Sequence, residues 1–283
     1  MRKLKVFIIV VGILLVLAGG GLLTYSIVKT NEFNGELKTV SKEITEEFTD
    51  IDINLSEASL TVKRSPDNRC VVEFLETEKF KYEAKVEGGK LIVTDNDTRQ
   101  WYERYFLNFG LLNMKATVYL PETNYNEVHI KESTGSTNLS GGFEFRKLTC
   151  ESTTGQIVID DITVIGNIIV QESTGAVVIN NTRSKNLKVD MSTGSVGLKN
   201  YIAGLNIEIN TSTGAVVFDM CDAATLIVSS STGSVKGTLL TPKIFNAKST
   251  TGSVKVPTNT TGEGGLCTIT TTTGSINIEI KSA

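Results

Sequence analysis

Few side chains of this sequence are spaced for chemistry. His129 is the single histidine in 283 residues, so a multi-histidine metal site within one chain is impossible. No serine or cysteine stands near it in a nucleophile pattern, and a catalytic role is not expected. The four cysteines, at positions 70, 150, 221 and 267, show no CxxC spacing, which excludes zinc ribbons and thioredoxin-like motifs. Asp95-Asn96-Asp97 resembles a fragment of a calcium loop, but the glycine and distal glutamate such a loop requires are missing. It reads as a solvated turn, and so does Asp160-Asp161. The sequence therefore points to no catalytic residue, no cofactor and no metal. What does recur is hydroxyl, in serial Ser-Thr-Gly and Thr-Thr-Gly triplets. A ladder of hydroxyls can bind sugars, ice or another regular surface. The same residues are what a tight corner needs, because short hydroxyls bond nearby backbone, and the corner is the expected role.

The elements that carry these triplets follow from their period. The triplet glycines are Gly135, Gly155, Gly175, Gly194, Gly214, Gly233, Gly252 and Gly274, spaced by 19 to 22 residues. Such regularity marks an array of one structural unit. Counted from each glycine, positions −7 and −5 are apolar, as in Leu187 and Val189, and so are +2 and +4, as in Val196 and Leu198. Apolar residues two apart with β-branched content indicate strands. Intervening positions, such as Lys188 and Asp190, are polar. The inward parity switches at the glycine, which a straight strand cannot do, so the chain turns a corner there. Each unit is then two short strands around a corner plus a variable connection. One unit cannot bury enough to order itself, so the units must stack. The array extends backwards if Ala58 takes the glycine place, with Ile51 and Ile53 before it and Leu60 and Val62 after it. Two cysteines, Cys150 and Cys267, fall on inward positions, and the four read as small buried hydrophobes, with pairing in an exported protein the alternative.

Composition agrees with a packed domain. Hydrophobic residues are 40% and charged residues 21%, with a net charge of −3. This argues against a disordered polyelectrolyte and a basic nucleic-acid binder. Residues 6–28 contain no charge. Those 23 positions would rise roughly 34 Å as a helix, enough to cross a ~30 Å hydrocarbon core. Arg2, Lys3 and Lys5 predict a cytoplasmic N-terminus and an exported remainder. A cleaved signal peptide ending near Val16-Leu17-Ala18 is the competing reading. The expected organisation is a cytoplasmic tail over 1–5, a transmembrane anchor over 6–28 and a linker over 29–46. An N-terminal β region and cap with the degenerate rung covers 47–127, and the repeat solenoid covers 128–283. The fold class is all-β: a parallel β-solenoid of about eight rungs.

Three surfaces could meet a partner. Val158, Val178 and Val217 form an outward stripe at +3, for which an intramolecular cover is the simpler expectation. Trp101, Tyr105 and Phe109 lie in an aromatic stretch over 99–114 at helix-like spacing, expected as a lid on the end of the rod. The strand ending at Ile280 leaves an open edge, which predicts self-association or cover by the N-terminal region.

The anchor, the segment Val118-Tyr119-Leu120-Pro121-Glu122 and the serial corners such as Ser192-Thr193-Gly194-Ser195-Val196 resemble the putative-adhesin family of bacterial envelope proteins, a domain of unknown function. The resemblance spans roughly 40–283. It implies an extracytoplasmic β-solenoid at the bacterial cell membrane and a link to surface attachment or envelope stress, and it brings no catalytic residues. The function expected is a membrane-anchored, non-catalytic, adhesin-like binding or scaffold protein with a protein or glycan partner. The alternative is an accessory of an envelope-stress sensing system acting through a membrane partner.

Overall fold

The computed structural model describes residues 2–34, 36–99, 114–258 and 260–281. The chain opens with a helix, α1 (Arg2–Asn34). Strands follow: β1 (Lys38–Ile44), β2 (Asp50–Arg64), β3 (Cys70–Glu76), β4 (Phe80–Glu87), β5 (Lys90–Asp97) and β6 (Lys115–Leu120). The repeat region comprises β7 (Tyr125–Asn180), β8 (Arg183–Lys199), β9 (Ile202–Thr213), β10 (Val216–Cys221), β11 (Thr225–Thr232), β12 (Val235–Leu239), β13 (Ile244–Thr251), β14 (Val254–Lys255), β15 (Leu266–Thr273) and β16 (Ile276–Ile280). β7 passes without a break through three corner glycines.

The repeats stack in parallel, each on the like positions of its neighbour. Ile168 pairs with Leu187, Leu187 with Ile207 and Ile207 with Leu226, all at −7. Val177, Val196, Val216 and Val235 form the corresponding column at +2. These columns are buried and make one continuous apolar interior. The rung at 51–62 lies on the same grid, with Ile51 opposite Val128, Ala58 opposite Gly135 and Val62 opposite Leu139.

Two kinds of corner bend the central rungs. At the first, Gly214 has φ +144°, and a Cβ there would lie 1.5 Å from the carbonyl oxygen of Gly194 in the rung beneath. Both the backbone angle and the close approach demand a residue without a side chain. At the second, six residues on, Asn181 and Asn200 adopt left-handed φ of 48° and 49°. Asparagine tolerates that conformation best after glycine. The Asn200 amide also donates to Asn181 Oδ1 at 3.0 Å, tying one rung to the next. Asp161 sits at the same corner with φ 56°.

The stacking order departs from the sequence order at both ends of the rod. β15 lies between β11 and β13, with Cys267 opposite both Leu226 and Phe245. β16 likewise lies between β12 and β14. The last repeat is thus inserted beneath the one before it. The open edge expected after Ile280 is instead formed by β13 and β14. At the other end, β5 and β6 together make a rung that pairs with the two halves of β2, so β2 is enclosed between them and β7. Beyond that rung the pairing turns antiparallel, with β4 on β5, β3 on β6 and β1 on β3.

Two further expectations are corrected. The linker over 29–46 is structured: it contains the end of α1 and all of β1, whose pairing along β3 from Lys38↔Glu76 to Ile44↔Cys70 supplies the order that its polar sequence does not signal. Asp95-Asn96-Asp97 is strand, not a turn, because it pairs along β4 from Tyr82↔Asp95 to Phe80↔Asp97, and its carboxylates have partners. Asp95 Oδ2 accepts from the backbone amide of Ser56 at 2.6 Å, and Asp97 holds the buried Arg99 guanidinium at 2.8 Å. In α1 the side chain of Phe7 and the apolar side chains from Ile9 through Leu23 are exposed. Among the described residues, no helix is long and apolar enough to cross a membrane.

Candidate functional site

The rungs bring together a column that the parity argument should have included. Position −3, just before the corner, also faces inward. It carries Leu55, Glu132, Ser152, Glu172, Met191, Thr211, Ser230 and Thr271, all buried, and at the outer rung Ser249, which is half-buried. Odd positions before the glycine share one face, so −3 follows −7 and −5; its polar residue types hid it. The neighbouring columns, at −4 and −2, point outward, and a groove of about 540 Å³ runs between them along seven rungs, from Lys131 and Glu132 to Thr270. At ~4.8 Å per rung it is roughly 30 Å long. One wall is hydroxyl: Thr153, Ser173, Ser192, Ser212 and Ser231. The other is Lys131, Glu151, Gln171, Asp190, Asn210 and Ser229.

Beneath the groove, two carboxyls of the −3 column point into the rod. Glu132 is 2% exposed. Its Oε2 accepts from the Thr137 hydroxyl at 2.9 Å, while Oε1 faces Gly135, where a Cβ would come within 2.3 Å. Burial pushes its carboxyl up to about 7, against the hydrogen bond from Thr137. Burial also raises the Glu172 carboxyl, with the neighbouring Ser152 hydroxyl and Thr174 amide pulling the other way. Neither Glu172 oxygen has a hydrogen bond of proper geometry, nor do Glu132 Oε1, Ser152 Oγ, Thr211 Oγ1 and Ser230 Oγ. On the walls, Asp190 is paired with Lys188 at 3.1 Å and accepts from Asn210 at 2.9 Å. Glu151 lies 3.4 Å from His129 Nε2, and Asp52 lies 3.1 Å from Nδ1. His129 thereby sits between carboxylates of the rungs on either side of its own.

The residues singled out for interaction lie elsewhere. Val158, Val178 and Val217 are half-buried on the strand after the corner. Gly197 interrupts the stripe between Val178 and Val217. A Cβ at Gly197 would meet nothing within 4 Å among the described residues. Trp101, Tyr105 and Phe109 lie outside the described residues. The four cysteines are buried and free. Desolvation pushes the thiols of Cys70, Cys150 and Cys267 up to about 12 and that of Cys221 to about 11, which leaves them unreactive. Among the described residues, no group of three or more His, Cys, Asp and Glu side chains is placed to hold a metal ion.

The profile of the Toastrack DUF4097 family matches residues 48–207 and 163–283. The chain belongs to this family. The Toastrack matches take in both the N-terminal rungs and the reordered C-terminal ones. The crystal structure of a putative adhesin from Parabacteroides distasonis ATCC 8503 is similar to it, with 12% identity, a TM-score of 0.55, and coverage of 87% of this chain and 98% of that one. A putative adhesin from Parabacteroides merdae ATCC 43184 has 12% identity and a TM-score of 0.48, with 87% and 97% covered. A putative lipid binding protein, also from Parabacteroides distasonis ATCC 8503, has 16% identity and a TM-score of 0.47, with 86% and 97% covered. At these identities the first likeness concerns the fold alone. No curated protein matches the chain.

Proposed function

We propose that this Toastrack protein is a membrane-anchored, extracytoplasmic, adhesin-like binding or scaffold protein of a bacterial envelope, without catalysis. The observation that carries the reading is the groove: an open, polar trough along seven rungs, presented by a rigid rod. Its walls offer hydrogen-bonding groups in series, and its acids are buried or already paired, as Asp190 is with Lys188. That arrangement suits holding an extended partner better than transferring a proton at one point. The anchor is the uncharged run over 6–28 behind Arg2, Lys3 and Lys5, whose basic end stays in the cytoplasm. The adhesin name borne by the Parabacteroides distasonis protein of the same fold agrees with a binding role.

The test uses the full chain in bacterial cells. Alkaline carbonate should leave it in the membrane fraction, and protease added outside should remove the rod. Cells lacking it should retain less purified envelope material at their surface. Release by carbonate together with protection from external protease would sink the anchored reading. Unchanged retention of envelope material would sink the binding role.

A further inference from the structure

We propose that the open edge of β13, at the end of the rod, is a docking site for an extended peptide strand of a partner protein in which apolar and acidic residues alternate. The site is separate from the groove, and the inference goes beyond the binding role stated above. The first observation is an interior left unfinished. In the neighbouring rungs the −7 and −5 residues are fully buried, as Leu226, Val228, Cys267 and Ile269 are. Their counterparts on β13, Phe245 and Ala247, are only half-buried. At +2, Val235 and Ile276 are 0% exposed, whereas Val254 is 42% exposed. The opposite end of the stack is covered by the antiparallel strands β1, β3 and β4. Among the described residues, no strand covers this one.

The second observation is the backbone. Among the described strands, β13 pairs with β15 alone and β14 with β16 alone. The Ile244 amide donates to the Gly265 carbonyl at 2.8 Å, so Ile244 presents its N–H to β15. Successive residues of a strand present their backbone groups to opposite edges. Those of Phe245 and Ala247 therefore point outward, where a further strand can bond them. The third observation is charge. Lys248 and Lys255 are exposed along this edge, and across the ladder they face the neutral Thr270 and Asn277. A second copy of this chain meeting the edge would bring the same ammonium groups together. A strand with acids on its outward positions sets one beside Lys248, while its apolar residues cover Phe245 and Ala247.

The experiment is equilibrium binding of fluorescent probes to the detergent-solubilised full chain. The probes are a peptide of 8 residues, the length of β13, that alternates valine and glutamate, its counterpart with lysine in place of glutamate, and poly-L-glutamate. The valine–glutamate peptide should bind tightest. Lys248→Glu should weaken it about fivefold and strengthen the lysine counterpart. Lys185→Glu, exposed in mid-rod, should leave both unchanged. Methylating the backbone nitrogens of either the valines or the glutamates strips donors from one edge of the peptide only, so one methylated form should bind and the other fail. Thermal melting of each variant reports whether the rod is intact. Poly-L-glutamate binding as tightly as the peptide, both methylated forms binding alike, or indifference to Lys248→Glu would overturn the assignment. So would efficient disulfide crosslinking of Asn246→Cys with itself, which would give the edge to a second copy.

Discussion

A carboxyl folded under its own corner gives the rod a pH dependence. Glu132 is raised from 4.5 to about 7, chiefly by desolvation. Between those values the folded chain keeps a proton that the unfolded chain has lost, so stability from this group falls as pH rises. It is greatest below 4.5 and fully lost above 7. The drop amounts to as much as about 3 kcal/mol. Glu172, also raised by burial, adds to it with the same sign. Glu132→Gln should therefore flatten the difference in melting temperature between pH 5 and pH 8, and a variant with the wild-type slope would refute the assignment. The sequence did not announce these acids. Their charge marks them as surface residues, and only the strict alternation from −7 through −5 to −3 places them inside.

At the scale of the element, the corner glycines were legible because their requirement is local. Gly214→Ala drives a methyl into the Gly194 carbonyl, 1.5 Å away, at a φ that alanine resists. A loss of about 2–4 kcal/mol is expected in chemical denaturation. Gly197→Ala meets nothing within 4 Å and should change stability by no more than about 0.5 kcal/mol. Equal losses at both positions would show that composition, not the corner, governs. The register of 51–62 on 128–139 was legible for a related reason: four apolar positions at fixed offsets survive even where alanine replaces the glycine. The second corner was missed, although Asn181 and Asn200 carry its signal, because the length of the connection varies. β1 escaped notice since its order comes from β3 and not from an apolar pattern of its own.

For the molecule as a whole, the period specified that rungs stack but not which rung meets which. Repeats with the same inward residues fit one another in several orders, and the choice falls to the connections. Lys243 makes that choice visible. It is fully buried, and its ammonium donates to the carbonyls of Ala223 at 2.7 Å and Gly264 at 2.6 Å and pairs with Asp222 at 2.6 Å. The lysine thus ties both crossover connections of the C-terminal exchange. Lys243→Met should cost on the order of 3 kcal/mol in chemical denaturation by stranding these acceptors. Hydrogen exchange offers a second check. Amides of 266–280, held on both sides, should exchange more slowly than those of 244–255 at the rod's end, and the reverse order would favour a sequential stack. That outer strand carries Lys248 and Lys255, both exposed, a device that discourages edge-to-edge pairing.

Because the first and last repeats are each clasped beneath another, the rod cannot be extended simply by adding a unit to either extremity of the array. A new copy appended there would face an exchanged crossover instead of a vacant step. Growth belongs in the middle, where duplication of a segment such as 176–194 would meet matching ladders above and below and lengthen the trough by one step.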